Sequence, residues 1–148
     1  MKNRMLRRAM LALSVVTLMS SLALAANAQD KMEDKMDKMS DAKVTVAVIR
    51  ADWCGACQKL EPTLAELKEQ YKGRINFVVL DVTNDEKTAE SAATARKLGL
   101  SKFFEANKKK TSTVAVVGAK NKILFQTDKN FDRNAYVKAF DEAIAKAG

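Results

Sequence analysis

The chain has 148 residues, with 26 Lys+Arg against 18 Asp+Glu, no histidine, one proline and two cysteines. That length carries one compact domain plus appendages, and 47% hydrophobic with 30% charged residues is globular composition with enough apolar material for one core. Without imidazole there is no Ser-His or Cys-His nucleophile pair and no histidine ligand or acid-base group, and two cysteines alone do not complete a four-ligand zinc site.

Residues 1–28 read as a secretory signal peptide. Lys2, Arg4, Arg7 and Arg8 form a basic start, Ala9 to Ala25 is a nearly uninterrupted apolar run, and Ala26-Asn27-Ala28 offers small residues where a signal peptidase reads. The alternative is an uncleaved anchor, although this run only touches the lower limit of about 17 residues for a membrane span. No cysteine lies near the junction for a lipid anchor, and Leu6 before Arg7-Arg8 favours the general secretory route over a twin-arginine one. Removing the four charges lowers the formal net charge from +8 to about +4. A nucleic-acid partner then loses its electrostatic basis, and Lys108-Lys109-Lys110 reads as a solvated loop.

Residues 29–43 form a charged, methionine-containing linker with near-repeats at Asp30-Lys31-Met32, Asp34-Lys35-Met36 and Asp37-Lys38-Met39. In a helix, Met32, Met36 and Met39 fall on one face. They either dock the arm on the domain or lend soft thioether ligands to Cu(I).

A domain is expected over 44–148. The run from Val44 to Ile49 is β-branched and reads as a buried strand. Beyond Cys57, Leu60, Leu64, Leu67 and Tyr71 recur at helical spacing until Gly73. A strand from Ile75 to Val82 follows, then a helix from Asp85 to Leu98 closed by Gly99. Ser101 to Ala106 adds a short turn carrying Phe103 and Phe104 inward. Thr113 to Val117 and Ile123 to Thr127 make two strands joined as a hairpin through Gly118-Ala119-Lys120-Asn121. A last helix starts near Asp132 and carries Tyr136, Val137, Phe140 and Ile144 on one face. This order implies one three-layer α/β domain, a central mixed sheet of about four strands flanked by helices.

The chemistry concentrates at the first strand-to-helix junction, Asp52-Trp53-Cys54-Gly55-Ala56-Cys57. A Cys-x-x-Cys opening a helix after a strand is a redox pattern. Unpaired N–H groups and the positive end of the helix dipole favour a thiolate, which makes Cys54 the nucleophile. Cys57, one turn on and expected to be more buried, resolves a mixed disulfide. Gly55 and Ala56 are expected to keep the approach unobstructed. A stabilising staple is the alternative, but closing about four residues removes only ~2 kcal/mol from the unfolded state, against ~4.7 for a hundred-residue loop. A metal site shared between two chains is the other.

The segment Trp53-Cys54-Gly55-Ala56-Cys57, the preceding Ala51-Asp52 and Pro62 resemble the active-site half of the thioredoxin superfamily, and the likeness extends from about Val44 to the C-terminus. The resemblance implies a thioredoxin-like fold and a thiol-disulfide oxidoreductase in which Cys54 attacks, Cys57 resolves and Trp53 shapes the substrate surface. Three positions depart from the family pattern. Its buried acid falls at Val48, the accompanying lysine at Val79, and its cis-proline near Ser112. A cis bond before a non-proline residue costs about 2.5 to 4 kcal/mol, so Thr111-Ser112 is expected to be trans and the loop facing the cysteines to differ.

The resulting expectation is a periplasmic or secreted bacterial protein, monomeric, with no dissociable cofactor and no stable membrane insertion after signal cleavage. Its partners are exported protein thiols and disulfides together with a redox partner protein. The alternative is a soft-metal module in which the Cys54 and Cys57 thiolates hold Cu(I), helped by the methionine arm.

Overall fold

The computed structural model describes residues 42–148. The expected signal segment 1–28 and residues 29–41 of the linker, with Met32, Met36 and Met39, lie outside the described residues.

Strand β1 (Thr45–Arg50) is followed by helix α1 (Gly55–Gln70), β2 (Asn76–Asp81), α2 (Asp85–Lys97), α3 (Ser101–Asn107), β3 (Thr113–Val117), β4 (Ile123–Asp128) and α4 (Arg133–Ala147). The four strands form one sheet in the order β2-β1-β3-β4. β1 and β2 run parallel, with Arg50 opposite Asp81, whereas β1-β3 and β3-β4 are antiparallel. The mixed sheet expected from the order of elements is therefore present. The parallel pair requires a crossover, and α1 supplies it.

Each boundary has a local cause. Asn84 caps α2 by accepting from the Lys87 N–H at 2.9 Å. Gly99, at φ +71°, ends that helix in the left-handed conformation that glycine adopts freely. Asp132 caps α4 through the Asn134 N–H at 2.9 Å. The expected β3-β4 hairpin closes through a short 3₁₀ turn at Ala119–Asn121, and the ladder is irregular between Val116 and Val117. The segment carrying Phe103 and Phe104 is a true helix, and both rings are buried as expected.

Strand alternation sends side chains to the two faces of the sheet. Val46, Val48, Val114 and Val116 join Leu60, Leu67, Tyr71, Tyr136 and Phe140 in one core under α1 and α4. Three rings meet Phe140: Tyr71 at 5.2 Å edge-on, Phe77 at 5.7 Å and Tyr136 at 6.2 Å between centroids. Such pairs add about 0.5–1.5 kcal/mol beyond area burial. Tyr71 donates its hydroxyl to Asp141 Oδ1 at 2.9 Å, and Tyr136 donates to the Asn130 carbonyl at 2.6 Å. Burial pushes the Tyr136 hydroxyl up to about 12. This packing fixes α1 against the sheet, so the first turn of α1 is a rigid platform at the C-terminal end of β1.

Candidate active site

Cys54 is the N-cap of α1, with extended backbone (φ −88°, ψ 99°), and its side chain accepts from the Cys57 N–H at 3.1 Å. A sulfur here receives a backbone donor and sits at the positive end of the helix dipole. The first turn of α1 carries no acidic residue to offset that potential. Cys57 is disulfide-bonded to Cys54 with a Cα–Cα distance of 5.2 Å, inside the usual range for a disulfide. The expectation that Cys57 is the more buried of the two is corrected: Cys54 is 6% exposed and Cys57 8%. One turn of helix leaves both sulfurs in a small apolar cluster with Ala51, Ala56 and Val82. What separates the cysteines is the cap position, not depth.

At Gly55 a Cβ built on the backbone meets nothing within 4 Å, so the space beside the first turn of α1 is open. Ala56 is half-buried against the cysteines.

The turn bearing Trp53 is held by a network that sequence reasoning missed. Arg50 bonds Asp52 Oδ1 at 2.7 Å and Asp81 Oδ2 at 3.2 Å. The Asp52 N–H donates to Thr83 Oγ1 at 2.9 Å, the Trp53 indole donates to the Thr83 carbonyl at 3.1 Å, and Gln58 Nε2 donates to the Asp52 carbonyl at 2.8 Å. Thr83 in turn donates both its N–H and its hydroxyl to Asp81 Oδ1. Burial works to raise the Asp81 carboxyl, but the Thr83 donors and Arg50 outweigh it and hold it below the usual carboxylate range. Trp53 itself stays 65% exposed, an apolar plate beside the disulfide that nothing in the described domain covers. A signal existed in the sequence: an arginine and an aspartate at the ends of two strands that pair in parallel, with Thr83 two residues on.

The opposite wall is the loop before β3. The Thr111-Ser112 bond is trans, as are all described peptide bonds, so the expectation for this loop holds. Ser112 is fully buried at φ +65°, a left-handed conformation uncommon for a residue with a Cβ. Its N–H donates to the Ile49 carbonyl at 2.8 Å, which locks the loop to β1. A cavity of about 260 Å³ brings Ser112 together with Cys57, Val48 and Val79; Thr111 does not line it. A third element reaches the start of α1, where Lys59 lies 4.6 Å from the ring centre of Phe131, a 41% exposed residue in the β4-α4 loop.

As for soft metals, the two thiolates are the whole of the expected donor set within the described domain. Among the described residues no group of three or more Cys, Asp or Glu side chains is placed to hold an ion.

A helix-capping cysteine paired one turn on, at the end of a central strand of a mixed sheet, defines a dithiol-disulfide protein. The chain belongs to the thioredoxin family, whose model matches residues 24–127. It is 44% identical over 61 residues to the chloroplastic thioredoxin-like protein HCF164 of rice, covering 41% of this chain and 22% of that protein. It is also 43% identical over 47 residues to the thiol:disulfide interchange protein TxlA homolog of Synechocystis, covering 32% of this chain and 26% of that protein. The match therefore spans about a quarter of these relatives. The germline-specific thioredoxin Deadhead of Drosophila shares the fold, with a TM-score of 0.52 at 15% identity over 77% of this chain and 92% of that one.

Proposed function

We propose that this protein is an exported thiol-disulfide oxidoreductase that exchanges disulfides with protein thiols through Cys54 and Cys57. The observation that carries the reading is the cap geometry, in which Cys54 Sγ receives the Cys57 N–H at the start of α1 while Cys57 stands at disulfide distance. The reduced form attacks a substrate disulfide with the Cys54 thiolate, and one substrate sulfur leaves as thiolate. Cys57 then attacks Cys54 Sγ, the mixed bond breaks, and the second substrate sulfur leaves. Two electrons pass to the substrate and the Cys54–Cys57 disulfide forms. The reverse sequence oxidises a substrate dithiol. No dissociable cofactor enters either direction.

Support for protein substrates comes from the exposed Trp53 and Phe131, which offer apolar contact on the surface around the cysteines. Export rests on the basic, apolar and small-residue order of 1–28. The similarity to the thiol:disulfide interchange protein TxlA homolog of Synechocystis is consistent with the same chemistry.

Trapping tests the division of labour. Cys57→Ser is expected to accumulate mixed disulfides with exported proteins, and Cys54→Ser to trap almost none. Equal trapping by the two variants overturns the assignment. The pH dependence of Cys54 alkylation in the reduced protein is expected to inflect well below the free-thiol value of about 8.5. An inflection at or above that value removes the role given to the helix start.

A further inference from the structure

Resting on that reading of Cys54 and Cys57, we infer that Glu61 is the proton acceptor that frees Cys57 to resolve the mixed disulfide. The need for one follows from burial. Cys57 is 8% exposed, and a thiol out of water resists ionisation. Cys54 has the cap position and a backbone donor to hold its charge; Cys57, inside the first turn, has no such donor to its sulfur among the described hydrogen bonds. The cavity that it lines offers the proton a way out.

That cavity decides the candidate. On β1 its wall is Val48, which accepts no proton, and the apolar Phe77 and Val79 come from β2. Arg50, from the end of β1, also lines it, but the guanidinium is tied to Asp52 and Asp81, and those two carboxylates are occupied by Arg50 and by Thr83. From the β3 loop comes the Ser112 hydroxyl, which lies 3.5 Å from Asp128 Oδ1 and is a poor base. From α1 come Glu61 and Lys68. Glu61 is four residues after Cys57, so the two stand one above the other on the same helix face, with Cβ atoms about 5–6 Å apart. Glu61 is thus the one carboxylate lining the cavity. Lys68, seven residues further along that face, adds a positive charge at the same cavity. Glu61 is exposed, so it exchanges with solvent the proton it receives.

The step balances as follows. The Cys57 thiol gives its proton to the Glu61 carboxylate, directly or through one cavity water. The Cys57 sulfur forms its bond to Cys54 Sγ as the bond from Cys54 to the substrate sulfur breaks. The electron pair of the broken bond leaves on the substrate thiolate, and Glu61 passes its proton to water.

Reduced full-length protein mixed with excess 5,5′-dithiobis(2-nitrobenzoic acid) releases one nitrothiobenzoate when Cys54 attacks and a second when Cys57 resolves. Stopped-flow absorbance separates the two. Glu61→Gln is expected to leave the first phase unchanged and slow the second about ten- to hundredfold near pH 7, the low side of general-base effects because the cavity is open to water. The pH inflection of the second phase rises in the same variant, and Glu61→Asp restores part of the rate. A second phase with unaltered rate and inflection in Glu61→Gln overturns the inference, as does an equal slowing of both phases without a shift in inflection. A wild-type protein that shows no second release overturns the redox pairing itself, a result distinct from either of those.

Discussion

The two walls of the disulfide are built on different principles. On the Trp53 side, a chain of hydrogen bonds runs from Gln58 through Asp52 and Thr83 to Asp81 and Arg50, and satisfied polar groups hold an exposed indole in one place. On the Ser112 side there is one strong backbone bond, to Ile49, and a residue held in a left-handed conformation inside the core. The first wall is sensitive to charge and pH, the second to backbone geometry. A site of this kind keeps its sulfurs fixed while its two substrate-facing edges answer to different perturbations.

The largest effect is expected from Ser112→Pro. Proline locks φ near −65° where the chain requires +65°, and it removes the N–H given to Ile49. A loss of about 3 kcal/mol or more, read from the urea midpoint, is expected. A proline variant of wild-type stability would show that this wall is not held by backbone geometry.

Asp81→Asn breaks the other wall. Removing the carboxylate that faces Arg50 and receives both Thr83 donors is expected to cost about 1–3 kcal/mol near neutral pH. The sign of its pH dependence follows from the lowered carboxyl. A group held below its unfolded value of about 3.9 contributes stability that is present above that pH and lost as pH falls through the folded value. The stability gap between wild type and Asp81→Asn therefore narrows below about pH 4. A gap independent of pH would place the effect in packing instead. Trp53 fluorescence follows the same variant, because the indole bonds to the Thr83 carbonyl that Asp81 positions.

The smallest effect sharpens the comparison from the other direction. Ser112→Gly relieves the left-handed strain but loosens the unfolded chain and removes a side chain packed in the core, so a net gain of at most about 1 kcal/mol is expected. Destabilisation by more than that would mean that the Ser112 hydroxyl, not its backbone, secures the loop.

Much of this was legible before any fold was known. The β-branched run at Val44 to Ile49, the apolar spacing from Leu60 to Tyr71 and the glycine at 99 specify their elements through local physics: side-chain alternation, helical periodicity and the conformational freedom of glycine. The Cys-x-x-Cys spacing identified the redox pair for the same reason, since three residues of separation across a helix start set the sulfur geometry locally. Relative burial of the cysteines was misjudged, because exposure depends in part on Val82, which approaches from the end of β2.

By itself, then, the sequence determined the elements and the redox pair, both set by interactions within about one helical turn or one strand. Only the tertiary structure decided what stands around the pair. Arg50 meets Asp81 across 31 residues because two strands run parallel in register. Ser112, left-handed at φ +65°, gives its N–H to Ile49 on a strand more than sixty residues earlier. Glu61 shares a cavity with Cys57, Val48 and Val79 because α1 lies across β1 and β2. Contacts between distant residues depend on how helices settle on a sheet, and local propensity carries no record of that packing.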